Sequence, residues 1–304
     1  MKTIQPSQQQ VPISAIVVTM AGVFLFATKA IIVKLGYREG MNASTMLLLR
    51  MGFALPFFAA ILFWGEGRNR LMHLSGKDHL QIILLGVVGY YLSSWLDFEG
   101  LQYITANLER LILFSYPTLV VILSALFLKK PIKLSQVIAI VLTYLGMFIT
   151  FYEHMVIAPT RSTLIGGLFV FGSSLTYAIY LVGSSELLKR EGVVFYTAYS
   201  MVVSTACVFI HSLFADIVPF DQIPGKVYVY GLVMAVFSTF LPSFLIAQSL
   251  KKIGASNMSV IGSIGPIFTI VLSYFLLQES LSTYHVVGGM VILIGVYWVS
   301  SGKK

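Results

Sequence analysis

The sequence predicts an all-α integral membrane protein, with ten transmembrane helices arranged as two inverted-topology five-helix repeats. Three observations carry that prediction. First, 57% of the 304 residues are hydrophobic and only 11% are charged, with a mean hydropathy of +0.87, so there are too few polar side chains to cover a soluble globule. Second, the chain contains ten apolar runs, each near the length of about 20 residues, at about 1.5 Å rise apiece, that crosses the hydrocarbon layer. Third, displacing the sequence by 149 positions lays Ala106 on Ala255, Pro117 on Pro266, Leu123 on Leu272, Lys130 on Glu279 and Gly146 on Gly295.

Met1 to Gln10 is polar. The apolar run after it is too long for a signal peptide and lacks the small-residue cleavage pattern, so the N-terminus is expected to stay attached. The spans then fall at 12–34, 43–64, 80–98, 104–128 and 134–151, and again at 163–185, 195–215, 227–248, 255–277 and 283–300. Runs of this length in lipid must bond every backbone group internally, so each is a helix. The first repeat covers 1–151 and the second 163–304. Five helices per unit is an odd number, so the second unit enters the membrane from the opposite side, and substrate sites in such architectures lie near the midplane where the halves meet.

The loops set the orientation. Lys2, Arg68, Arg70, Lys77, Lys129, Lys130, Lys133, Lys189, Arg190, Lys251, Lys252, Lys303 and Lys304 fall on one side, against Lys34, Arg38, Arg161 and Lys226 on the other. Positive charge marks the cytoplasmic face, so both termini are expected in the cytoplasm, with the protein in the cell (inner) membrane. The net charge of +8 is thus a topology signal, and no nucleic-acid partner is expected. Cys207, the one cysteine, lies inside an apolar run and leaves the compartment open. No P-loop or soluble domain interrupts the spans, so any energy comes from a gradient and not from ATP.

Glycines recur inside the spans: Gly86 and Gly89, Gly166, Gly167 and Gly172, Gly262 and Gly265, Gly288 and Gly289. They permit close helix packing. The stretch 262–266, GSIGP, also reads as a hinge or break that exposes backbone carbonyls. Pro117 and Pro266 are hinge candidates for the same reason, since proline frees a carbonyl one turn back.

FATKAIIVKLGY in the first span, LLLRMGF in the second, and SLKKIGASNMSVIGSIGPIFTIVLSYFLLQESLS with its Pro-x-Phe-Thr and closing Glu together resemble the EamA family of the drug/metabolite transporter superfamily. The resemblance covers almost the whole chain. It implies a ten-helix transporter of small metabolites, frequently an exporter, with a central cavity. The sequence departs from the family pattern at Phe26-Ala27, where Trp-Gly is usual, at Lys29, where Asn is usual, and at Lys130.

Charges inside the spans are costly in hydrocarbon and mark candidate sites. Counting from the expected helix ends, Lys29 lies about 7 Å deep, Arg50 about 10 Å, and Glu109 and Arg110 about 7 to 9 Å, in one layer, with Asp97 shallower. Lys29 either snorkels outward or faces the cavity. Arg50 either locks helix 2 to helix 4 or binds substrate. Glu109 is expected to pair with Lys29, Arg50 or Arg110 and to orient them. Three bases against one acid leave positive charge that an anionic substrate group would balance, with Asp97 as the competing counter-charge.

Tyr90, Tyr91, Trp95, Tyr116, Tyr177, Tyr180 and Tyr199 place polar tips within spans, where lipid offers no partner. Trp95, Tyr177 and Tyr180 are taken as pocket-shaping. Tyr180 aligns with Lys29 at an offset of 151 and is expected to face it. His211 and His285 read as interfacial, and no ligand spacing points to a metal or cofactor. The expected function is secondary transport of a small polar or amphipathic metabolite, carboxylate-bearing such as an amino acid, by alternating access. The alternatives are a lipid-modifying membrane enzyme, which the short loops disfavour, and a membrane sensor without transport. The oligomeric state stays open.

Overall fold

A computed structural model describes residues 12–150, 161–278 and 283–300, and among these the ordered secondary structure is entirely helical. The helices are α1 (Ile13–Arg38), α2 (Ala43–Phe63), α3 (Glu66–His73), α4 (Gly76–Gly86), α5 (Ser93–Tyr103), α6 (Ala106–Leu113), α7 (Tyr116–Leu128) and α8 (Leu134–Thr150). They continue as α9 (Arg161–Glu191), α10 (Val193–Ser212), α11 (Gly225–Ala235), α12 (Leu241–Ile261), α13 (Gly265–Leu272) and α14 (Thr283–Ser300). Side-chain caps start several of them. Asn42 accepts from Thr45 N at 2.9 Å, Ser75 from Asp78 N at 3.2 Å and Thr105 from Leu108 N at 3.2 Å, each satisfying one orphan donor.

Among the described residues, six helical stretches are long and apolar enough to cross a membrane: Ile13–Arg38, Ala43–Phe63, Gly76–Tyr103, Arg161–Glu191, Val193–Ser212 and Gly225–Leu277. Tyr116–Leu128, Leu134–Ile149 and Val286–Gly295 are shorter apolar helices. The 53-residue stretch would be about 80 Å long if continuous. Gly254 breaks it, at φ 78° and ψ 166°, a conformation that only glycine adopts without strain.

Boundaries differ from the sequence expectation in several places, including the sixth span, which runs Arg161–Glu191 instead of 163–185. The first helix runs on to Arg38 and the third spans Gly76–Tyr103 instead of 80–98. Polar side chains at these ends bond locally, so the helix need not stop: Gln102 donates to Glu99 at 2.6 Å and Tyr37 to the Phe98 carbonyl at 2.7 Å. The stretch 104–128 is not one helix but α6 and α7 with a break at Phe114 and Ser115. Pro117 occupies the first turn of α7 and Pro266 the first turn of α13, which follows a short 3₁₀ turn at Gly262–Ile264. A missing N–H costs nothing at a first turn. The expectations on Phe151, Glu279 and both termini lie outside the described residues, as does the side chain of His285.

Local irregularities recur at the 149-residue spacing. A π-helical turn at Val87–Leu92 is matched by one at Val236–Phe240, and left-handed Lys129 (φ 50°) by left-handed Gln278 (φ 59°). Packing follows the same exchange. α5 lies on α9 as α12 lies on α1, α7 meets α9 as α13 meets α1, and α8 packs along α14. At that last contact a Cβ on Gly146 would come 2.6 Å from Gly288 O, and one on Gly295 3.0 Å from Ala139 O.

Candidate functional site

The interior between α1, α2, α5, α9 and α12 holds a small cavity of about 30 Å³, room for a water or two. Lys29, Arg50, Tyr90 and Tyr177 line it, with hydroxyls from Ser93, Ser94, Ser173, Ser238, Thr239 and Ser243. The two π turns supply Gly89 and Tyr90 from one side and Ser238 and Thr239 from the other. An extra residue in a helical turn re-aims the side chains around it, and π turns often mark functional sites for that reason.

Arg50 is 1% exposed. Its Nε donates to Thr239 Oγ1 at 2.7 Å and its Nη1 to Ser94 Oγ at 3.2 Å. The guanidinium carbon lies 5.5 Å from the Phe98 ring centre, a favourable cation–π contact. Among the described residues no carboxylate stands within ion-pair distance of it. The helix 2–helix 4 salt bridge weighed from the sequence is therefore absent among them.

Lys29 turns inward and does not snorkel: it is 3% exposed and donates to Asp97 Oδ2. Its ammonium lies 4.8 Å from the Phe26 ring centre and 5.9 Å from that of Phe98. The acid beside Lys29 is thus Asp97, and Glu109 does not take that place. The longer third helix explains the difference, because Asp97 sits six residues, about 9 Å, inside its end and shares the layer of the other charges. The count becomes three bases against two acids, and Arg50 is the base left over.

Glu109 and Arg110 adjoin the cavity without lining it. Arg110 Nε is 3.3 Å from Glu109 Oε2, and its Nη2 donates to the Phe26 carbonyl at 3.3 Å. Tyr177 stacks at 6.2 Å on Phe26 and 6.1 Å on Tyr180. Tyr180 is buried and gives its hydroxyl to Tyr90 at 2.9 Å, where the sequence pointed it at Lys29. Trp95 is also off the cavity, its ring against Phe169 and His211. His211, half-buried in the last turn of α10, lies 3.1 Å from Tyr91 Oη and 3.4 Å from Ser44 Oγ.

The serine and threonine lining went unread in the sequence. Hydroxyls are common in membrane helices, and which of them face inward depends on the π turns, which leave no mark in an all-apolar pattern. Polar contacts tie helix ends together on both sides of the molecule. On the loop-basic side Arg190 pairs with Asp78 and His79 meets Tyr199 Oη at 2.8 Å. On the other side Lys226 pairs with Glu39 at 2.6 Å and Asn42 donates to the Asp216 carbonyl at 2.6 Å. No group of three or more acids, histidines or cysteines suited to a metal occurs among the described residues.

The EamA-like transporter family matches the chain twice, over residues 13–152 and 164–301. "Uncharacterized transporter YcbK" of Bacillus subtilis (strain 168) is 29% identical, with 94% of this chain and 91% of that protein aligned. "Uncharacterized transporter YyaM" of the same organism is 26% identical over 85% of each. "WAT1-related protein At5g64700" of Arabidopsis thaliana is 24% identical over 92% of this chain and 87% of its own. A solved structure titled "Crystal structure of protein" superposes with a TM-score of 0.74 at 15% identity, covering 94% of this chain and 95% of the other, and is similar in fold. The apolar helices, the buried polar cavity and a profile match across nearly the whole length agree, and the chain belongs to the EamA-like transporter family, integral to the membrane.

Proposed function

We propose that this protein carries a small carboxylate-bearing metabolite, such as an amino acid, across the membrane by alternating access between two inverted five-helix halves. The observation that carries the reading is Arg50: a fully buried guanidinium on the cavity wall, held among the described residues by neutral hydroxyls and an aromatic face. A permanent charge in such a place calls for a counter-ion, and a bidentate carboxylate fits the fork. Lys29, neutralised by Asp97, sets the second edge of the site, and Tyr177 and the hydroxyls bind the rest of the substrate.

The two halves are residues 1–151 and 163–304, with both termini cytoplasmic. The paired π turns, the paired breaks before Pro117 and Pro266, and the exchange of helix contacts support this arrangement. The 53-residue stretch counts as two spans joined at Gly254, α6 with α7 as one, and ten crossings result. A cavity that admits only a water or two fits the occluded member of the cycle.

A ligand screen by thermal shift on detergent-purified protein tests the reading. A native-state ligand raises the melting midpoint by mass action. Carboxylates should stabilise and their neutral amides should not. Equal response to both, or stabilisation by neutral compounds alone, would remove the anion.

A further inference from the structure

Asp97 of α5 and Glu109 of α6 are both buried, at 1% and 0% exposure, and their carboxyl groups face each other within hydrogen-bonding reach. Asp97 Oδ2 takes the Lys29 ammonium, while Asp97 Oδ1 and both Glu109 oxygens have no donor among the described residues. Arg110 Nε lies 3.3 Å from Glu109 Oε2 but is not aligned to donate. An ionised carboxylate only accepts. Two of them face to face, with lone pairs that no donor among the described residues meets, repel each other. One proton on Glu109 changes the contact into O–H···O, with Glu109 donating and Asp97 Oδ1 accepting.

We propose that the Asp97–Glu109 pair binds one exchangeable proton, carried by Glu109 while the cavity is closed, and that this proton is linked to the anion site. When the site opens to water the Glu109 O–H bond breaks, the proton passes to water and the bonding pair stays on the oxygen. Asp97 remains ionised against Lys29 throughout.

The surrounding groups allow this. Lys29 comes from α1, Arg50 from α2 and Arg110 from α6 itself. Tyr37 lies near both Asp97 and Glu99, and Tyr116 and Tyr177 lie near Arg110. α13, packed on α6, is GPIFTIVL and contributes no titratable side chain.

With Glu109 neutral, Lys29, Arg50 and Arg110 face one acid. With Glu109 ionised they face two. Proton and anion therefore raise each other's affinity, and by linkage the effect is reciprocal. This second clause rests on the anion-transport reading, whereas the proton site does not.

Infrared spectra of the purified full chain, in H₂O and D₂O across a pH titration, test the proton directly. The carbonyl stretch of a protonated carboxyl group is expected at neutral pH, shifted in D₂O and lost on alkaline titration. It should vanish in Glu109→Gln. If that variant fails to fold, the wild-type titration stands alone, and Asp97→Asn should keep the band at a shifted frequency. No band at neutral pH, or an unchanged band in Glu109→Gln, overturns the site.

Exchange of a radiolabelled amino-acid hydrolysate in proteoliposomes tests the linkage. Its initial rate should rise severalfold from mildly alkaline to mildly acidic buffer in the wild type and stay flat in Glu109→Gln. Exchange without pH dependence overturns the linkage. A band without any exchange supports the proton site and sinks the anion reading, and exchange without a band does the reverse.

Discussion

Lys29→Gln would strip Asp97 of its ammonium and leave a carboxylate buried beside a neutral amide. Breaking one side of a buried pair costs about 3–5 kcal/mol, and denaturation in detergent should show a loss of that order. The double change Lys29→Gln, Asp97→Asn should recover most of it, because no bare charge remains. A silent Lys29→Gln would mean that the pair does not form. The individual charges were legible, since Lys29, Arg50, Glu109 and Arg110 stand out in apolar runs. Arg110 was among the partners expected for Glu109, but which acid meets Lys29 was left open. LDFEG around Asp97 reads as the polar end of a span, yet the helix continues to Tyr103, and that shift in depth decides which acid meets Lys29. The hydroxyl shell of Arg50 was equally hidden, because Thr239 reaches it from a π turn on the far side of the chain.

At the scale of the element, the irregular turns are the features to perturb. Gly89 lies in the Val87–Leu92 turn, where an added Cβ would come 2.2 Å from Tyr180 Cγ, whereas Gly76 has nothing within 4 Å. Gly89→Ala should cost about 1–3 kcal/mol through overpacking, and Gly76→Ala should leave the melting temperature nearly unchanged. Similar melting of the two variants would argue that the π turn tolerates displacement. Pro117 and Pro266 occupy first turns, so alanine at either should be close to neutral for folding. If the breaks before them serve as hinges, Pro117→Ala and Pro266→Ala should slow turnover more than they weaken ligand affinity. Equal loss of both, or no loss, would count against hinging. Helix existence could be read from hydropathy, and the two prolines flagged the breaks. The sequence had them kinking a continuous helix, while the structure starts a new segment at each. A π turn adds one residue to a stretch that is apolar all round, so no periodicity records it.

For the whole molecule, the family and the helical membrane class were legible because composition, run length and the 149-residue echo are global signals that no single contact can override. The orientation comes from loop charge. Reporter fusions after Lys304 and within 65–79 should both read cytoplasmic, and an external signal from either would undo the ten-span inverted arrangement. If Arg50 holds the anion that a transport cycle moves, flux through the protein depends on it. Proteoliposomes carrying the wild type should accumulate label from a radiolabelled amino-acid hydrolysate above protein-free vesicles. Arg50→Gln should cut the initial rate at subsaturating label about tenfold or more, the equivalent of the 1.5–3 kcal/mol of a hydrogen bond to a charged group, while melting within a few degrees of the wild type. Wild-type vesicles no better than empty ones, or an Arg50→Gln rate equal to the wild type, would contradict it.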